Sequence, residues 1–381
     1  MSSVLYIIII YILWIINLFN GTGLGQAYHT TEQARIIVSI IAIVIAVIKY
    51  AFNRNLSIDT EDLLVFSFLF AFFVLDSLLN GFNLMGLDYL WVFFLIYLLS
   101  KFPVSELSLK IIGIGYAVAG IIVLAIYNFG TALSGWNPNS IAMIGLHSFL
   151  VFIIPFYQMK SFKGKIPIAL VAILYVWLLS STDSRSCMIF IIVGVLFSFS
   201  IIPQKIITAS NRRIMFWLLI PLVVAIVIVL ISKGPYMEAL NKWSYEQYNK
   251  PLFNGRDTLW EQGFRILFEH PFFGTGEIGS NRHNTIVECL IAYGIIGLLI
   301  WLFSLYKLLS KGRLFLDSPN ENDNIIIGCI VSFFVFYVQQ TVELGMFSTA
   351  PNIIPYMIIG IMFGRIKLLT SNNEIKQTEN A

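Results

Sequence analysis

Apolar runs separated by short polar segments occupy almost the whole chain. A membrane-spanning helix needs about 20 mostly apolar residues. Runs near that length lie at 4–19, 36–52, 63–79, 84–99, 109–127, 140–157, 166–181, 186–202, 214–232, 286–306, 325–341 and 353–369. This pattern predicts an all-α, polytopic membrane protein, with residues 1–369 forming one membrane domain of about 12 transmembrane helices. Residues 370–381 are polar and are expected to form a short cytoplasmic tail without regular structure.

The positions of lysine and arginine orient these helices. With a cytoplasmic N-terminus, 16 of the 24 Lys and Arg residues fall in cytoplasmic segments, and only Arg35 and Arg185 fall in short outer loops. Cytoplasmic loops normally carry such an excess, so both termini are predicted to be cytoplasmic. The other six cations lie in one long loop, residues 233–285, which this topology places on the outer face. Because that loop breaks the charge rule, its cations need another explanation.

Composition narrows the class of protein. Of the 381 residues, 58% are hydrophobic and 12% are charged, whereas soluble proteins carry about 25% charged residues. A soluble enzyme is therefore excluded, and a net charge of +3 does not indicate a nucleic-acid partner. The three cysteines lie in apolar runs and are expected to be buried rather than paired in disulfides. The four histidines are scattered, so no metal site is expected.

The long loop contains one segment with helical periodicity, beginning near Gly255. Two faces recur at helical spacing, an apolar one and a charged one: Trp260, Phe264, Leu267 and Phe268, and Asp257, Glu261 and Arg265. Asn254 or Gly255 is expected to cap this amphipathic helix, and Pro271 to end it. The helix can lie on the lipid surface, and this would not exclude a functional role for Arg256 at its N-terminal end, where backbone N–H groups already favour an anion.

Two further outer segments place cations beside an apolar helix. Asp183 and Arg185 lie in a very short turn between two spans, and Arg282, His283 and Asn284 directly precede a hydrophobic helix. Asp183 and Arg185 form either a topological hairpin with an internal ion pair or part of a functional site. Arg282, His283 and Asn284 are either an ordinary polar flank at a membrane surface or part of a reaction site facing one side of the membrane.

Two turn patterns complete the polar features. The Asn-Pro-Asn sequence at 137–139 is typical of a turn, with Asn139 or Ser140 capping the next helix. The glycine-rich stretch GTGEIGS, 274–280, does not have the spacing of a phosphate-binding Walker loop and predicts an ordinary turn.

Four segments between roughly residues 130 and 310 follow in a recognisable order: WNPNSIA, STDSRS, NGRDTLWEQGFRILFEHPFFGTG and HNTIVECLIAYGIIGLLIWL. This order resembles the O-antigen ligase and polymerase superfamily of bacterial membrane glycosyltransferases. The family pattern has an Asn-Pro-Asn turn, a Ser-Arg turn, a periplasmic Arg…Trp…Pro-x-x-Gly-x-Gly segment, and His-Asn before a helix. The last two motifs are specific together, whereas the N-terminal third resembles the family only in hydropathy.

The resemblance implies an enzyme of the bacterial inner membrane that transfers a glycan from an undecaprenyl-pyrophosphate carrier, without a metal or other cofactor. In such enzymes the two motif arginines bind the pyrophosphate and the histidine acts at the acceptor hydroxyl; here these are Arg185, Arg256 and His283. Candidate supporting residues are Arg282, Asn284, Asn139 and Arg265. The implied partners are the carrier-linked oligosaccharide donor, a glycan acceptor, the lipid bilayer and, as a candidate, a chain-length regulator protein, with no nucleic acid.

The chemistry of these residue types fits that reaction. Two guanidinium groups can stabilise the growing charge of a pyrophosphate leaving group through paired hydrogen bonds. A histidine, whose unperturbed pKa is about 6.5, is suited to accept the proton of a sugar hydroxyl.

The motifs are shared by polymerases, which join carrier-linked repeat units, and by ligases, which move the chain to lipid A-core or to a protein. A surface-polysaccharide polymerase is favoured because the sequence shows no added soluble domain that would recognise a protein acceptor. The alternatives are an O-antigen ligase and, from another class, a polysaccharide-unit flippase. A flippase would place functional charges near the membrane midplane, and such charges are not evident.

Overall fold

A computed structural model describes residues 2–20, 60–81, 92–93, 95–97, 99–130, 137–182, 184–277, 282–317, 323–346 and 353–379. All regular secondary structure in these ranges is helical, which confirms the predicted all-α class for them. The α-helices are α1 (Ser2–Asn20), α2 (Thr60–Asn80), α3 (Glu106–Phe129), α4 (Pro138–Ile153), α5 (Phe162–Leu179), α6 (Arg185–Ser198), α7 (Lys205–Thr208), α8 (Asn211–Ser232), α9 (Met237–Tyr248), α10 (Arg256–Glu269), α11 (Thr285–Phe315), α12 (Asn324–Gln339) and α13 (Ile353–Glu379).

Six of these helices are long and apolar enough to cross a membrane: α3, α4 with the 3-10 turn that follows it, α5, α8, α11 and the first part of α13. Shorter apolar stretches of 10–17 residues lie in α1, α2, α6 and α12. The span predicted at 36–52, and most of that at 84–99, lie outside the described residues. The total of about 12 spans and the side on which the long loop lies remain predictions.

Helix α12 lies inside the bundle and is buried along nearly its whole length, in contact with α4, α6, α8, α11 and α13. The rings of Phe333 and Tyr337 stack at 5.8 Å, and the Tyr337 hydroxyl donates to the Leu218 carbonyl of α8 at 2.6 Å. These contacts fix the C-terminal end of α12 against α8, where the candidate site lies. The cysteines are free and buried, as predicted: Cys187, Cys289 and Cys329.

A break at Gly294 divides α11. This residue has φ 63° and ψ −164°, a left-handed conformation that favours glycine, and an added Cβ would lie 2.4 Å from the Phe272 carbonyl carbon. Residues 271–276 fill the break. Backbone hydrogen bonds join the two segments: Thr275 to the Ile291 carbonyl (2.8 Å), Gly276 to that of Ala292 (2.9 Å) and Ile295 to that of Pro271 (2.9 Å). These hydrogen bonds satisfy backbone groups that the break at Gly294 leaves without helical partners. They also attach residues 271–276, which follow α10, to α11.

At the other end of α12, Asp323 caps the helix and pairs with Arg365 of α13. The Oδ2 atom of Asp323 lies 2.7 Å from Nη2 of Arg365 and 2.9 Å from its Nε. Its Oδ1 atom accepts hydrogen bonds from the Ile325 N–H at 2.8 Å and from Gln158 at 3.0 Å. Both carboxylate oxygens are thus fully used in joining three parts of the chain.

The structure is more helical than predicted in two places. Helix α9 lies in the long loop, where only the helix now seen as α10 was expected. Helix α13 continues to Glu379, which corrects the expectation that residues 370–381 lack regular structure. Neither glycine nor proline follows Gly364, so the sequence contains no strong helix breaker in this segment.

Candidate functional site

The His283 turn is held in place by the residue that follows it. Asn284 is fully buried, and its side-chain oxygen caps α11 by accepting hydrogen bonds from the N–H groups of Ile286 and Val287 at 2.9 and 3.1 Å. Its amide nitrogen donates to the carbonyls of Pro221 and Thr341 at 3.2 and 3.0 Å. Asn284 is therefore a structural support that uses every hydrogen-bonding group of its side chain.

These contacts seat the turn inside the bundle. Pro221 lies in the middle of α8, about 16 Å before the end of that helix at 1.5 Å per residue. The backbone N–H of Thr285 also donates to the Gln340 carbonyl at the end of α12 at 3.1 Å. His283 itself adopts φ 51°, a strained conformation for a residue other than glycine, and 31% of its side chain is exposed. The imidazole is thus recessed but accessible.

Arg256 reaches the same turn from the long loop. It is the first residue of α10, directly after Gly255 at φ 78°, as the sequence predicts. Trp260 anchors this helix: its ring is fully buried, and its indole N–H donates to the Arg282 carbonyl at 2.7 Å. Because Arg282 adjoins His283, this anchor holds the start of α10 close to the histidine.

One carboxylate, Glu343, joins the arginine and the histidine. Its Oε1 atom lies 3.4 Å from Nη2 of Arg256, and its Oε2 atom lies 3.6 Å from Nδ1 of His283. The Glu343 side chain is only 9% exposed and that of Arg256 is 23% exposed. Glu343 was not among the predicted site residues; it lies just beyond the predicted span at 325–341. The only sign of its importance in the sequence was its position as an acidic residue just after a predicted span.

Arg185 is the first residue of α6, and its side chain is exposed. The start of α6 packs against the end of α12, where the Gln339 amide donates to Ser186 Oγ at 3.5 Å and contacts Cys187 Sγ at 3.7 Å. Gln339 directly precedes Gln340, which binds the His283 turn. The structure therefore brings the Ser-Arg turn to the same end of the bundle as His283. Asp183 lies outside the described residues.

Arg282 has a structural role, because its contacts hold the His283 turn in place. Its guanidinium donates to the Gln262 side chain of α10 at 2.8 Å, and its backbone N–H donates to the buried carboxylate of Glu288 at 3.4 Å. Together with the hydrogen bond from Trp260 to the Arg282 carbonyl, these bonds hold α10 against the start of α11. The Nε atom of Arg282 is buried and has no hydrogen-bond partner within the described part of the chain.

Arg265 lies on another face of α10. Its side chain is 74% exposed and pairs with Glu261 at 2.8 Å, while Glu261 also pairs with Lys233 at 3.2 Å. Hydrogen bonds from Arg265 and Lys233 lower the pKa of the Glu261 carboxyl. Arg265 is thus not brought into the Arg256–Glu343–His283 cluster.

The cap residue predicted in the Asn-Pro-Asn turn was wrong. Asn137, and not Asn139 or Ser140, caps α4, because its side chain accepts a hydrogen bond from the Asn139 N–H at 2.9 Å. Helix α4 reaches the site region through Met143, whose sulfur lies 3.7 Å from the Gln340 amide. Asn139 is therefore on a neighbouring helix, and its described contact is with Asn137.

No group of three or more His, Cys, Asp or Glu side chains that could hold a metal ion occurs within the described residues. The cluster instead offers two kinds of chemistry. Guanidinium groups at the starts of α6 and α10 can bind an anion, and a recessed imidazole can accept a proton.

Comparison with known proteins supports this assignment of the region. Residues 168–302 match a family model described as O-antigen ligase, and no curated protein matches the chain. The matched segment contains Arg185, Arg256 and His283 and ends before Glu343. The match confirms the resemblance seen in the sequence and supports a membrane enzyme of the O-antigen ligase or polymerase type.

Proposed function

We propose that the chain is a surface-polysaccharide polymerase of the bacterial inner membrane, because residues 168–302 match a family model described as O-antigen ligase. It transfers a growing glycan from undecaprenyl pyrophosphate to a sugar hydroxyl of a carrier-linked repeat unit, on the outer face and without a metal. Arg185 and Arg256 bind the pyrophosphate, and His283 is the base.

The observation that carries this proposal is the meeting of Arg256 and His283 on one buried carboxylate. They come from the two specific family motifs, separated by a whole helix and a glycine-rich turn, and yet both lie within 3.6 Å of Glu343. The recessed position of the turn also suits a substrate whose carrier is a lipid. A polar flank at a membrane surface would not require these residues to converge.

The transfer reaction requires only the side chains of Arg185, Arg256 and His283 from the protein. The acceptor hydroxyl loses its proton to Nε2 of His283 as its oxygen attacks C1 of the donor sugar. The bond between C1 and the pyrophosphate oxygen breaks, and its electron pair leaves with the pyrophosphate. The guanidinium groups of Arg185 and Arg256 stabilise that growing negative charge. The products are the new glycosidic bond, an imidazolium on His283 that carries the hydroxyl proton, and a lipid pyrophosphate with one more negative charge.

The choice of polymerase over ligase rests on the acceptor. A ligase must seat lipid A-core or a protein, whereas a polymerase seats a second carrier-linked glycan beside the donor. Two similar lipid-linked substrates suit a site recessed inside a helical bundle. A flippase is less well supported, because the motif cations gather at one end of the described bundle.

Purified protein in lipid vesicles separates these functions. With only its undecaprenyl-pyrophosphate-linked repeat unit, the polymerase should produce a ladder of glycan lengths on carrier lipid. A single product that forms only after lipid A-core is added would assign the ligase instead. Movement of the intact repeat unit across the vesicle membrane without transfer would assign the flippase.

A further inference from the structure

Glu343 has no role in the family motifs and lies outside the matched segment. It follows α12 in the turn formed by residues 340–346, and its side chain is nearly buried. A buried carboxylate is costly unless it is paired and hydrogen-bonded. Its two ion-pair partners among the described residues, Arg256 and His283, are the residues placed in the reaction, one on each oxygen.

Both contacts of Glu343 are long. Charge-assisted hydrogen bonds between nitrogen and oxygen are typically about 2.7–2.9 Å, but the Arg256 and His283 contacts measure 3.4 and 3.6 Å. Among the residues that the structure describes, the buried atoms Nδ1 of His283 and Nε of Arg256 have no hydrogen-bond partner. Within the described residues, the cluster therefore contains polar nitrogen atoms whose hydrogen-bonding capacity is unused, and one carboxylate that satisfies neither partner completely.

We propose that Glu343 is a positioning residue that exchanges Arg256 for His283 when the donor binds. This inference rests on the proposed function. Without donor, the carboxylate is shared between the two side chains. When the pyrophosphate takes up the N–H groups of Arg256, Glu343 closes on Nδ1 of His283 and fixes the imidazole with Nε2 toward the acceptor hydroxyl.

The movement required is small. A shift of a few tenths of an ångström brings the 3.6 Å contact into ordinary hydrogen-bond range, which extends to about 3.2 Å. The pyrophosphate competes well for Arg256 because it can accept two parallel hydrogen bonds, where Glu343 offers one long contact at 3.4 Å, and because it carries more charge than a carboxylate. Glu343 does not take the proton; it accepts the Nδ1–H hydrogen bond and stabilises the imidazolium formed when Nε2 receives the hydroxyl proton.

This exchange gives Glu343 opposite effects on donor binding and on turnover. As a competitor for Arg256, it weakens donor binding. As the partner of His283, it speeds the transfer step. A carboxylate that only neutralised Arg256 for the sake of folding would not tighten donor binding when removed, and its loss would be seen in the amount of folded protein.

The test is the Glu343→Gln variant, which keeps an acceptor oxygen but loses the charge. With the lipid-pyrophosphate donor and folded protein matched to wild type, the donor KM should fall about 5-fold while kcat falls about 10- to 100-fold, within the usual range of coupling between two sites. Glu261→Gln is the matched control, because Glu261 pairs with Arg265 on the same helix, and it should change neither constant. Glu343→Ala should lose further kcat.

A double-mutant cycle sharpens the result. If Glu343 acts through His283, adding Glu343→Gln to His283→Ala should cost no further residual turnover. Unchanged constants in Glu343→Gln, a parallel loss of donor affinity and kcat, or full additivity with His283→Ala would each overturn the exchange while leaving the proposed function intact. Absence of transfer by the wild-type protein would instead overturn the proposed function, and the exchange with it.

Discussion

Two buried carboxylates, Asp323 and Glu343, face an arginine at opposite ends of the same helix, α12. Asp323 pairs with Arg365 at 2.7 Å, and its other oxygen accepts two more hydrogen bonds. Glu343 has Arg256 at 3.4 Å and His283 at 3.6 Å, and each of those side chains keeps a buried nitrogen without a hydrogen-bond partner among the described residues. The first cluster is complete, whereas the second is not.

The difference indicates what each cluster does. Buried polar groups in a folded protein are normally hydrogen-bonded, so unsatisfied ones call for an explanation. The Asp323–Arg365 pair joins α12, α13 and the segment after α4, and removing one partner would leave a buried charge alone. The Glu343 cluster joins motif residues but keeps capacity for a ligand. We therefore expect mutations at one end to change stability and mutations at the other to change turnover.

The largest effect on activity is expected for His283→Ala, which should abolish cell-surface polymer while the protein remains in the membrane. A positioned base contributes about 10²- to 10⁴-fold to a rate. The measurement is a gel of surface glycan alongside a blot of membrane protein. His270→Ala is the control, because His270 is exposed at the end of α10 and should leave polymer unchanged. Full-length polymer from His283→Ala would remove the base assignment.

At the other end of α12, Asp323→Ala should cost about 3–5 kcal/mol of folding free energy, because it leaves Arg365 as an unpaired buried charge. Thermal unfolding in detergent should show a lower melting temperature. Turnover per folded molecule should stay near that of the wild type. If the folded variant instead lost turnover as severely as His283→Ala, the contrast between the two clusters would be wrong.

Intermediate effects are expected for Arg185→Lys and Arg256→Lys. Lysine loses the planar fork and one hydrogen bond to the pyrophosphate. A charge-assisted hydrogen bond contributes about 1.5–3 kcal/mol, which corresponds to roughly a 10- to 150-fold slower transfer. Arg265→Lys is the control, since its side chain is 74% exposed, and it should be near wild type. Near wild-type rates for Arg185→Lys would mean that Arg185 has a structural role and does not bind the pyrophosphate through paired hydrogen bonds.

The smallest effect on activity is expected for Gln247→Cys, which tests topology. Gln247 is exposed on α9 in the long loop, and the native cysteines are buried, so background labelling should be low. A membrane-impermeant maleimide should label this variant in intact spheroplasts. Labelling that requires lysis would place the loop, and the site with it, on the cytoplasmic side.

Local features of the site were predictable from the sequence. Helical periodicity gave α10, with Arg256 at its start and Pro271 beyond its end, because such patterns depend on neighbours along the chain. Asn284 was predicted only as a candidate supporting residue of the site, and its role as the cap of α11 is a finding of the structure. The cap of α4 is Asn137, two residues before Asn139 and three before Ser140, since several nearby polar residues can cap a helix equally well.

Features that depend on distant segments could not be predicted in this way. Glu343 meets His283 only because α12 returns to the start of α11, and no local pattern encodes that return. The break at Gly294 is stable only because residues 271–276 supply its hydrogen bonds. The run around Gly294 is apolar throughout, so periodicity alone predicts an uninterrupted helix there.

The most direct measurement of the central claim is transfer by the purified wild-type protein from its lipid-pyrophosphate-linked repeat unit in excess chelator. If arginines and a histidine perform the reaction, glycan bonds and released lipid pyrophosphate should form in equal amounts, and the chelator should not change the rate. Loss of transfer that magnesium or manganese restores, or a donor that stays intact in every condition, would contradict it.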